Sequence, residues 1–391
     1  DVEHVYFPTK PVVPYLDIVH DRAVLELFRG CTRGCRFCQA GMLYRPVRER
    51  TPERLLEIAK ETMGNTGYNE ISLMSLSSAD YSKLPELVDM LMEEFKDKQV
   101  SVSLPSLRID SFSIDIAKKV QQVRKSGLTF APEAGTQRMR DVINKGVTEE
   151  DLMAACTNAF KSGWHNVKLY FMIGLPTETD EDLAGIADLA YKVLDLHREI
   201  TGRRNGSVTV SVSFFVPKTH SPYQWYGQED VEEIHRKQKY LKSLINNRNI
   251  SYHYHDGYTG YMEGVFARGD RRLAKVLVEA WKLGCKFDGW TEHFSYETWL
   301  KAFENCGIDP AYYARRTRDF DEPLPWDHLD DTVTKPFLKR EWEQAVAAKL
   351  TGDCRRDACR GCNVCPELDT AIIDYKEGGR VEKVTFGLTE R

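Results

Sequence analysis

Three cysteines on one short loop could hold an iron–sulfur cluster. Cys31, Cys35 and Cys38 follow a C-x3-C-x2-C spacing, directly after a short apolar run that predicts a strand. Three thiolates can bind three irons of a cubic 4Fe–4S cluster, which leaves the fourth iron open to a small molecule. We expect Phe37 to cover this cluster with an apolar face. A zinc knuckle and three unrelated thiols are the alternatives, but three ligands are one too few for a closed structural zinc site.

Four further cysteines lie close together near the end of the chain. Cys354, Cys359, Cys362 and Cys365 fall within twelve residues and end on Cys365-Pro366. This run is similar to the ligand runs of bacterial ferredoxins, although the cysteine before proline usually serves a second cluster there. A four-cysteine zinc site typically uses two separated C-x2-C pairs, which this segment lacks. We predict a second iron–sulfur cluster here, with zinc as the alternative.

The amino-acid composition indicates the general class of this protein. Hydrophobic residues make up 42% of the 391 residues, and a net charge of −5 gives no general attraction to nucleic acid. Seven of the ten cysteines belong to the two clusters, which indicates metal ligation in a reducing cytosol rather than disulfides. The apolar runs are far too short to span a membrane. We therefore expect a cytoplasmic protein with no membrane partner.

Strand and helix signals alternate along the first half of the chain. Six short apolar or β-branched runs predict strands at Val24–Phe28, Glu70–Met74, Val100–Leu104, Leu128–Ala131, Val167–Ile173 and Val208–Val216. Helix starts are marked by Thr51-Pro52, by Thr148 with Asp151 and by Thr179 with Asp182. The alternation predicts an α/β fold, a partial (β/α)6 TIM-like barrel. A doubly wound sheet would alternate in the same way, but the cysteine loop after the first strand favours the barrel.

We divide the chain into four parts. Residues 1–21 are a lead-in or linker, and residues 22–225 form the barrel. Residues 226–334 form a mostly helical extension, and residues 335–391 form a C-terminal module with the four-cysteine cluster. Because the chain begins with Asp1, we expect it to be part of a longer protein.

The carboxyl ends of the predicted strands carry polar residues at successive positions. Ser75 and Ser77 have hydroxyls that can bond an amine or a carboxylate, and Arg108 suits a carboxylate. Glu133 is an acid beside a turn, and Gly174 begins the turn after the fifth strand. Turn chemistry and helix capping explain each of these equally well when taken singly. Four in succession at the same end of a parallel sheet predict a binding site.

The cysteine loop, with an aromatic residue before its last cysteine, resembles the radical S-adenosylmethionine (SAM) superfamily. Residues 130–136 with 145–148, and residues 170–179, look like the group that contains the Elongator catalytic subunit and MiaB. The resemblance covers residues 22–225 and is closest to a cobalamin-binding radical branch. It implies that the open iron chelates the methionine end of SAM, and that an electron from the cluster cleaves the sulfonium to a 5′-deoxyadenosyl radical.

The same resemblance implies roles for the residues at the strand ends. Glu133 would contact the SAM ribose or amino end, and Gly174 lies in the strand that passes along the adenine. Ser75 and Ser77 replace the usual Gly-Gly-Glu that holds the methionine amine, and Arg108 is a carboxylate partner by position. No residue is assigned to the chemistry on the substrate.

The predicted function is that of a radical SAM enzyme with an unknown substrate. Methyl transfer, sulfur insertion and rearrangement stay open, with RNA or protein as candidate substrates and flavodoxin or ferredoxin as electron donor. In the cobalamin-binding branch a cobalamin domain precedes the barrel. No such domain is found in residues 1–391, so we expect cobalamin only with a missing upstream domain.

Two other classes of function are alternatives to a radical SAM enzyme. An iron–sulfur electron-transfer or scaffold protein without SAM chemistry would need no site for a methionine and an adenosine, so the strand-end motifs argue against it. An RNA-binding modification module would need a contiguous basic patch. The segment Arg268–Arg272 is basic and could meet phosphate, but a solvated helix start explains it as well. His253 and His255, beside Asp256, could bind metal, or they are structural polar groups.

Overall fold

The computed structural model describes residues 2–104, 108–110, 116, 119 and 128–375. Residues 376–391 of the predicted C-terminal module lie outside the described residues. The strands are β1 (Ala23–Glu26), β2 (Phe28–Arg29), β3 (Arg48–Glu49), β4 (Glu70–Met74), β5 (Ser101–Ser103), β6 (Leu128–Glu133), β7 (Asn166–Ile173), β8 (Ser207–Phe214) and β9 (Ile250–Tyr254). The helices are α1 (Ala40–Leu43), α2 (Pro52–Thr66), α3 (Leu84–Phe95), α4 (Gln137–Val142), α5 (Glu149–Lys161), α6 (Asp180–Thr201), α7 (Val231–Leu244), α8 (Gly257–Ala267), α9 (Leu273–Lys282), α10 (Tyr296–Asn305), α11 (Pro310–Ala314), α12 (Lys335–Val346) and α13 (Val364–Glu367).

Parallel strands form two sheets in the described part of the chain. The first has the order β1-β4-β5 and the second the order β6-β7-β8-β9, with every neighbouring pair parallel. The strand order follows the chain without the reversal of a doubly wound sheet, so the predicted TIM-like α/β fold is confirmed. All six predicted strands are present. A seventh, β9, lies in the region predicted to be mostly helical.

Local capping explains where several helices begin and end. Thr51 accepts a hydrogen bond from the Arg54 N–H, and Pro52 occupies the first helical position of α2. Thr148 and Asp151 form the predicted capping box at the start of α5. Gly202 ends α6 with φ +66°, a conformation that glycine adopts without steric cost.

Each sheet buries its own apolar cluster against its helices. Leu25 and Leu73 of the first sheet pack with Leu55 and Leu87 of α2 and α3. The larger cluster joins β6–β9 to α5–α10 and contains Phe171. Among the described residues, none of the helices combines the length and the apolar character needed to cross a membrane.

The C-terminal module packs directly onto the barrel. Phe337 of α12 and Val364 of α13 share an apolar cluster with Met42 of α1 and with Trp225, which follows β8. Ile373 bridges β3 through hydrogen bonds with backbone groups of residues 47 and 49, at 2.9 and 3.1 Å. The module therefore contacts α1 and β3, which follow the first cysteine loop, and the segment after β8.

Candidate active site

The first cysteine loop, residues 30–38, follows β2 and extends toward the second sheet. Gly30 opens it with φ +93°, and a Cβ there would lie 2.1 Å from the carbonyl oxygen of Pro46, so only glycine fits. Phe37 packs in an apolar cluster with Leu175 and Phe215, which directly follow β7 and β8. The loop therefore lies at the carboxyl ends of parallel strands, where barrels of this kind place their chemistry.

Cys31 and Cys38 of this loop have raised pKa values because they are buried near other thiols. Burial, followed by the neighbouring thiolates of Cys35 and Cys38, raises the pKa of Cys31 to about 11. Burial and Cys35 also raise the pKa of Cys38, whose sulfur accepts a hydrogen bond from the Gly41 N–H at 3.4 Å. Metal binding deprotonates thiols and supplies the positive charge that a buried group of thiolates lacks. Three soft donors in one partly buried group fit an iron–sulfur cluster.

Arg33, between the first two cysteines, joins the loop to distant carboxylates. Its Nε donates to Asp80 at 3.0 Å and its Nη1 to Asp110 at 2.9 Å, while Asp353 lies 3.6 Å away. Burial acts to raise the pKa of Asp80, but Arg33 and the Ser77 hydroxyl outweigh it and hold that pKa well below its usual range. Arg33 thus ties the loop to the segments that follow β4 and β5 and to the C-terminal module.

The hydroxyls after β4 take part in a turn. Ser77 donates to Asp80 Oδ2 at 2.6 Å, and the Ser75 oxygen accepts from the Ser77 N–H at 3.2 Å. Ser75 also bonds the Ser78 hydroxyl at 3.2 Å. Ser77 therefore reaches the cysteine loop through Asp80, and the predicted contact of Ser75 and Ser77 with the SAM amine stays a prediction.

Glu133 ends β6 and forms an ion pair beside the thiols. Its φ of +69° is unusual for a residue with a side chain and turns the backbone at the end of the strand. Lys145 Nζ donates to Glu133 Oε1 at 3.0 Å, and both side chains are largely buried. The charge of Lys145 also acts to lower the pKa of Cys38. An acid–base pair thus lies at the carboxyl end of β6, within electrostatic range of the cysteine loop.

Arg108 faces the same thiols from the segment after β5. Its Nε donates to Asp110 at 2.9 Å and its Nη2 to the Lys145 carbonyl oxygen at 3.1 Å. Burial acts to lower the pKa of Arg108, but the Cys35 thiolate and Asp110 outweigh it and raise that pKa. The guanidinium can therefore stabilise thiolates of the loop, and its contact with a SAM carboxylate stays a prediction.

Gly174 follows β7 above a buried cluster of charges. It has φ +79°, and its N–H donates to Glu178 Oε1 at 2.9 Å. Lys237 of α7 donates to Glu178 at 2.8 Å and to Glu229 at 2.6 Å. Burial raises the pKa of Glu178 to about 7, against the opposing effect of Lys237. This cluster fixes the backbone turn that carries Gly174.

The four C-terminal cysteines form a second group of interacting thiols. Burial raises the pKa of Cys354 to about 12, with Cys362 and Cys359 acting in the same direction and Arg45 opposing them. Burial, Cys362 and Cys359 also raise the pKa of Cys365. Cys354 and Cys365 thus each lie within electrostatic range of Cys359 and Cys362, and cysteine thiolates are the usual ligands of iron–sulfur clusters. Neither group of cysteines in the described residues has the arrangement of a single-ion site.

Arg36 anchors the first cysteine loop inside the protein. Its side chain is fully buried, and its Nε pairs with Glu341 of α12 at 3.2 Å. Its other nitrogens donate to the carbonyl oxygens of Asp141 and Lys349 at 3.0 and 2.7 Å, and to the Thr351 hydroxyl at 3.2 Å. The loop is therefore joined to α4 and to the C-terminal module by one side chain.

Two further contacts bring the cysteine groups together. The Thr32 hydroxyl donates to Asp353, next to Cys354, at 2.6 Å. Asn144 Nδ2 donates to the Thr351 carbonyl oxygen at 3.1 Å, and the Thr351 N–H donates back to Asn144 Oδ1 at 2.9 Å. The segment that leads into the second cysteine group thus lies against the first loop.

Several residues of the site were not predicted from the sequence. Lys145 stands in a stretch that supported the family resemblance, and that position could have identified it. Glu341 and Lys237 lie in ordinary helical sequence, so their roles depend on packing. His253 and Asp256 are both exposed; Asp256 caps α8. Their surroundings favour the structural explanation over a metal site.

Comparison with known proteins gives a family match that includes the first cysteine loop. The sequence pattern of the Radical SAM superfamily matches residues 25–190. An uncharacterised protein of Methanocaldococcus jannaschii is 35% identical over 258 residues, which cover 65% of this chain and 53% of that protein. A tRNA-2-methylthio-N(6)-dimethylallyladenosine synthase of Protochlamydia amoebophila is 24% identical, over 67% of this chain and 58% of that enzyme. The chain spans just over half the length of these two relatives.

Among solved structures, the radical SAM methyltransferase TsrM of Kitasatospora setae, with cobalamin and a [4Fe-4S] cluster bound, is 14% identical. The alignment covers 51% of this chain and 37% of that enzyme, with a TM-score of 0.37.

Proposed function

Because the chain contains a domain of the radical SAM superfamily at residues 25–190, we propose that it is the catalytic part of an enzyme that cleaves SAM reductively. The family implies a 4Fe–4S cluster, SAM and a reductant. The observation that carries the proposal is the position of three interacting thiols at the carboxyl ends of parallel strands, inside the matched residues. The chemistry that the cluster supplies when bound is one electron to the SAM sulfonium, which gives a 5′-deoxyadenosyl radical.

The residues around the loop have separate tasks in this proposal. Cys31, Cys35 and Cys38 hold the cluster as thiolates, and the charges of Lys145 and Arg108 offset part of their negative charge. Charge compensation of this kind stabilises a buried anionic centre, because an isolated buried charge is costly.

The ends of β6 and β7 provide the surface for SAM. Glu133 offers a carboxylate that accepts from hydroxyl or amine donors, and the ion pair with Lys145 holds that carboxylate in place. The strand that ends before Gly174 passes along the adenine in this proposal, and a glycine is needed there because φ is +79° and a Cβ would lie 3.0 Å from the Ile234 side chain. Phe37 and the apolar cluster around Leu175 and Phe215 exclude water from this edge.

The four C-terminal cysteines belong to the same proposal. Cys354, Cys359, Cys362 and Cys365 hold an auxiliary iron–sulfur cluster, which leaves no open iron for SAM. The contacts of Thr32 with Asp353 place the segment before Cys354 against the first loop, a position suited to electron transfer or to holding the module in shape.

The substrate reaction is methyl transfer or sulfur insertion, with RNA as the candidate substrate. The support is the tRNA methylthiolation named for the Protochlamydia relative, at 24% identity.

The test removes the three thiols of the first loop. We expect the Cys31→Ala, Cys35→Ala, Cys38→Ala triple variant to lose about four irons per chain after anaerobic reconstitution, and to form no 5′-deoxyadenosine from SAM and dithionite. A second triple variant, Cys156→Ala with Cys285→Ala and Cys306→Ala, removes the same number of thiols outside both groups and should keep its iron. Equal iron, sulfide and 5′-deoxyadenosine in the two triple variants would refute the proposal.

A further inference from the structure

A large cavity lies outside the candidate active site, between the end of α8 and the segment after α11. Its volume is about 800 Å³, and Arg271, Arg272, Tyr312, Arg316 and Arg318 are among its lining residues. The Arg318 N–H donates to the Trp225 carbonyl oxygen at 2.8 Å, so one wall is attached to the segment that follows β8.

Two guanidinium groups are buried at this cavity with nitrogen atoms that lack partners. Arg318 is 3% exposed, and Arg268, directly behind it, is 0% exposed. Arg318 Nη2 donates to the Arg268 carbonyl oxygen at 2.8 Å, and Arg268 Nη2 donates to the Arg316 carbonyl oxygen at 2.9 Å. Among the described residues, Arg318 Nε and Nη1 and Arg268 Nε have no hydrogen-bond acceptor. Buried donors without acceptors are rare in native proteins and point to an unseen ligand.

Neither guanidinium of this pair forms an ion pair with a carboxylate of the described residues, and Arg318 lies 4.9 Å from the centre of the Trp326 ring. The lining contains two carboxylates, and each is engaged elsewhere: Asp270 pairs with Arg272 at 2.6 Å, and Glu322 pairs with Arg316 at 2.6 Å. Four lining arginines and two lining carboxylates leave an excess of two positive charges, with Arg268 behind them. Buried charges in proteins are normally paired, so this arrangement calls for an anion of about two negative charges.

A phosphate ester meets this requirement better than a single carboxylate. It carries between about −1.5 and −2 charge at neutral pH, and its oxygens match the fork of a guanidinium. The cavity is within the size range of small-molecule sites, roughly 300–1,000 Å³, and far exceeds an inorganic ion. Tyr312 is 44% exposed, and the guanidinium groups of Arg316 and Arg272 lie 4.7 and 5.6 Å from its ring centre. An aromatic face beside arginines is a surface on which a nucleobase can stack.

We propose that this cavity binds the phosphate group of a nucleotide, either free or as one unit of an RNA strand. Arg318 and Arg271, the two lining arginines without a carboxylate partner among the described residues, bind the phosphate, and Tyr312 stacks with the base. Nucleotide binding at this cavity requires neither the cluster nor SAM, so it can be tested independently of the proposed function.

The test measures binding of three probes to the cluster-loaded full chain by anaerobic calorimetry at low ionic strength: inorganic phosphate, AMP and a short single-stranded RNA. We expect AMP or the RNA to bind more tightly than phosphate. Arg318→Gln should weaken that binding at least tenfold, about 1.4 kcal/mol. Arg271→Ala, at an exposed position on the rim, should weaken it several-fold without changing the thermal midpoint. That second variant keeps the test decisive even if Arg318→Gln does not fold.

Arg236→Gln is the matched control, because it removes an exposed arginine of α7 that does not line the cavity. Its nucleotide affinity should equal that of the wild type. Binding of AMP but not RNA assigns a free nucleotide, and binding of RNA but not AMP assigns a strand. Phosphate binding as tight as AMP binding, no binding of any probe, or equal affinity in the Arg271→Ala variant and the wild type would each overturn the proposal.

Discussion

Replacing Glu341 with alanine tests how the first cysteine loop is held in place. Glu341 is the carboxylate partner of Arg36, and their side chains are 4% and 0% exposed. Removing one partner of a buried ion pair costs about 3–5 kcal/mol, because the remaining charge stays in an apolar environment. The Thr351 hydroxyl also loses its acceptor, at 2.8 and 3.0 Å from the two carboxylate oxygens.

The other contacts of Arg36 keep the expected loss of stability within this range of about 3–5 kcal/mol. Arg36 would keep hydrogen bonds to the carbonyl oxygens of Asp141, Val142 and Lys349. These contacts satisfy N–H groups but carry only partial charge, so they offset the loss incompletely. We expect Glu341→Ala to lower the free energy of unfolding by about 3–4 kcal/mol, a large share of the roughly 5–15 kcal/mol of a typical domain.

The assay is anaerobic urea unfolding followed by tryptophan fluorescence, together with iron content after reconstitution. Glu343→Ala, at an exposed position of the same helix, is the control and should change stability by less than about 0.5 kcal/mol. Glu341→Gln, which keeps an oxygen acceptor, should fall between the two and keeps the comparison possible if the alanine variant does not fold. A loss below about 1 kcal/mol for Glu341→Ala, or full iron retention despite the loss, would refute the reasoning.

Two other predictions concern the metal content of the C-terminal module and a pH effect. In the variant that lacks Cys31, Cys35 and Cys38, metal analysis and Mössbauer spectroscopy should still find a 4Fe–4S cluster; zinc without iron would instead make the C-terminal cysteines a structural zinc site. Hydrogen bonds from Thr136, Thr179 and Arg138 outweigh burial and lower the pKa of Asp182. The stabilisation of the folded state by the Asp182 carboxylate is therefore fully present above about pH 4 and is lost as pH falls through the folded-state pKa. We expect Asp182→Asn to lower the free energy of unfolding by roughly 2 kcal/mol at pH 7 and by progressively less in acid. Denaturant unfolding at several pH values checks this against Asp188→Asn, an exposed change in the same helix; a pH-independent cost would contradict it.

Much of the fold could be predicted from the sequence because its signals are local. The spacing of Cys31, Cys35 and Cys38 and the alternation of apolar strands with capped helices lie within short stretches of chain. A strand needs only a few adjacent residues with the right pattern, and a helix start needs a capping residue at a fixed offset. The alternation in Ser251–Tyr258 also indicates a strand at β9, whereas the place of that strand in the sheet depends on its pairing with β8.

The environment of the candidate site was decided only by the tertiary structure. Arg36 and Glu341 are 305 residues apart, and Arg33 meets carboxylates of three separate segments. The sequence of the basic segment at Arg268 is typical of a solvated helix start. In the folded protein, however, the Arg268 guanidinium is fully buried beside Arg318. Local patterns show which side chains a segment contains. The burial of a side chain and the net charge around it depend on every segment that packs against it, so they are determined only when the chain has folded.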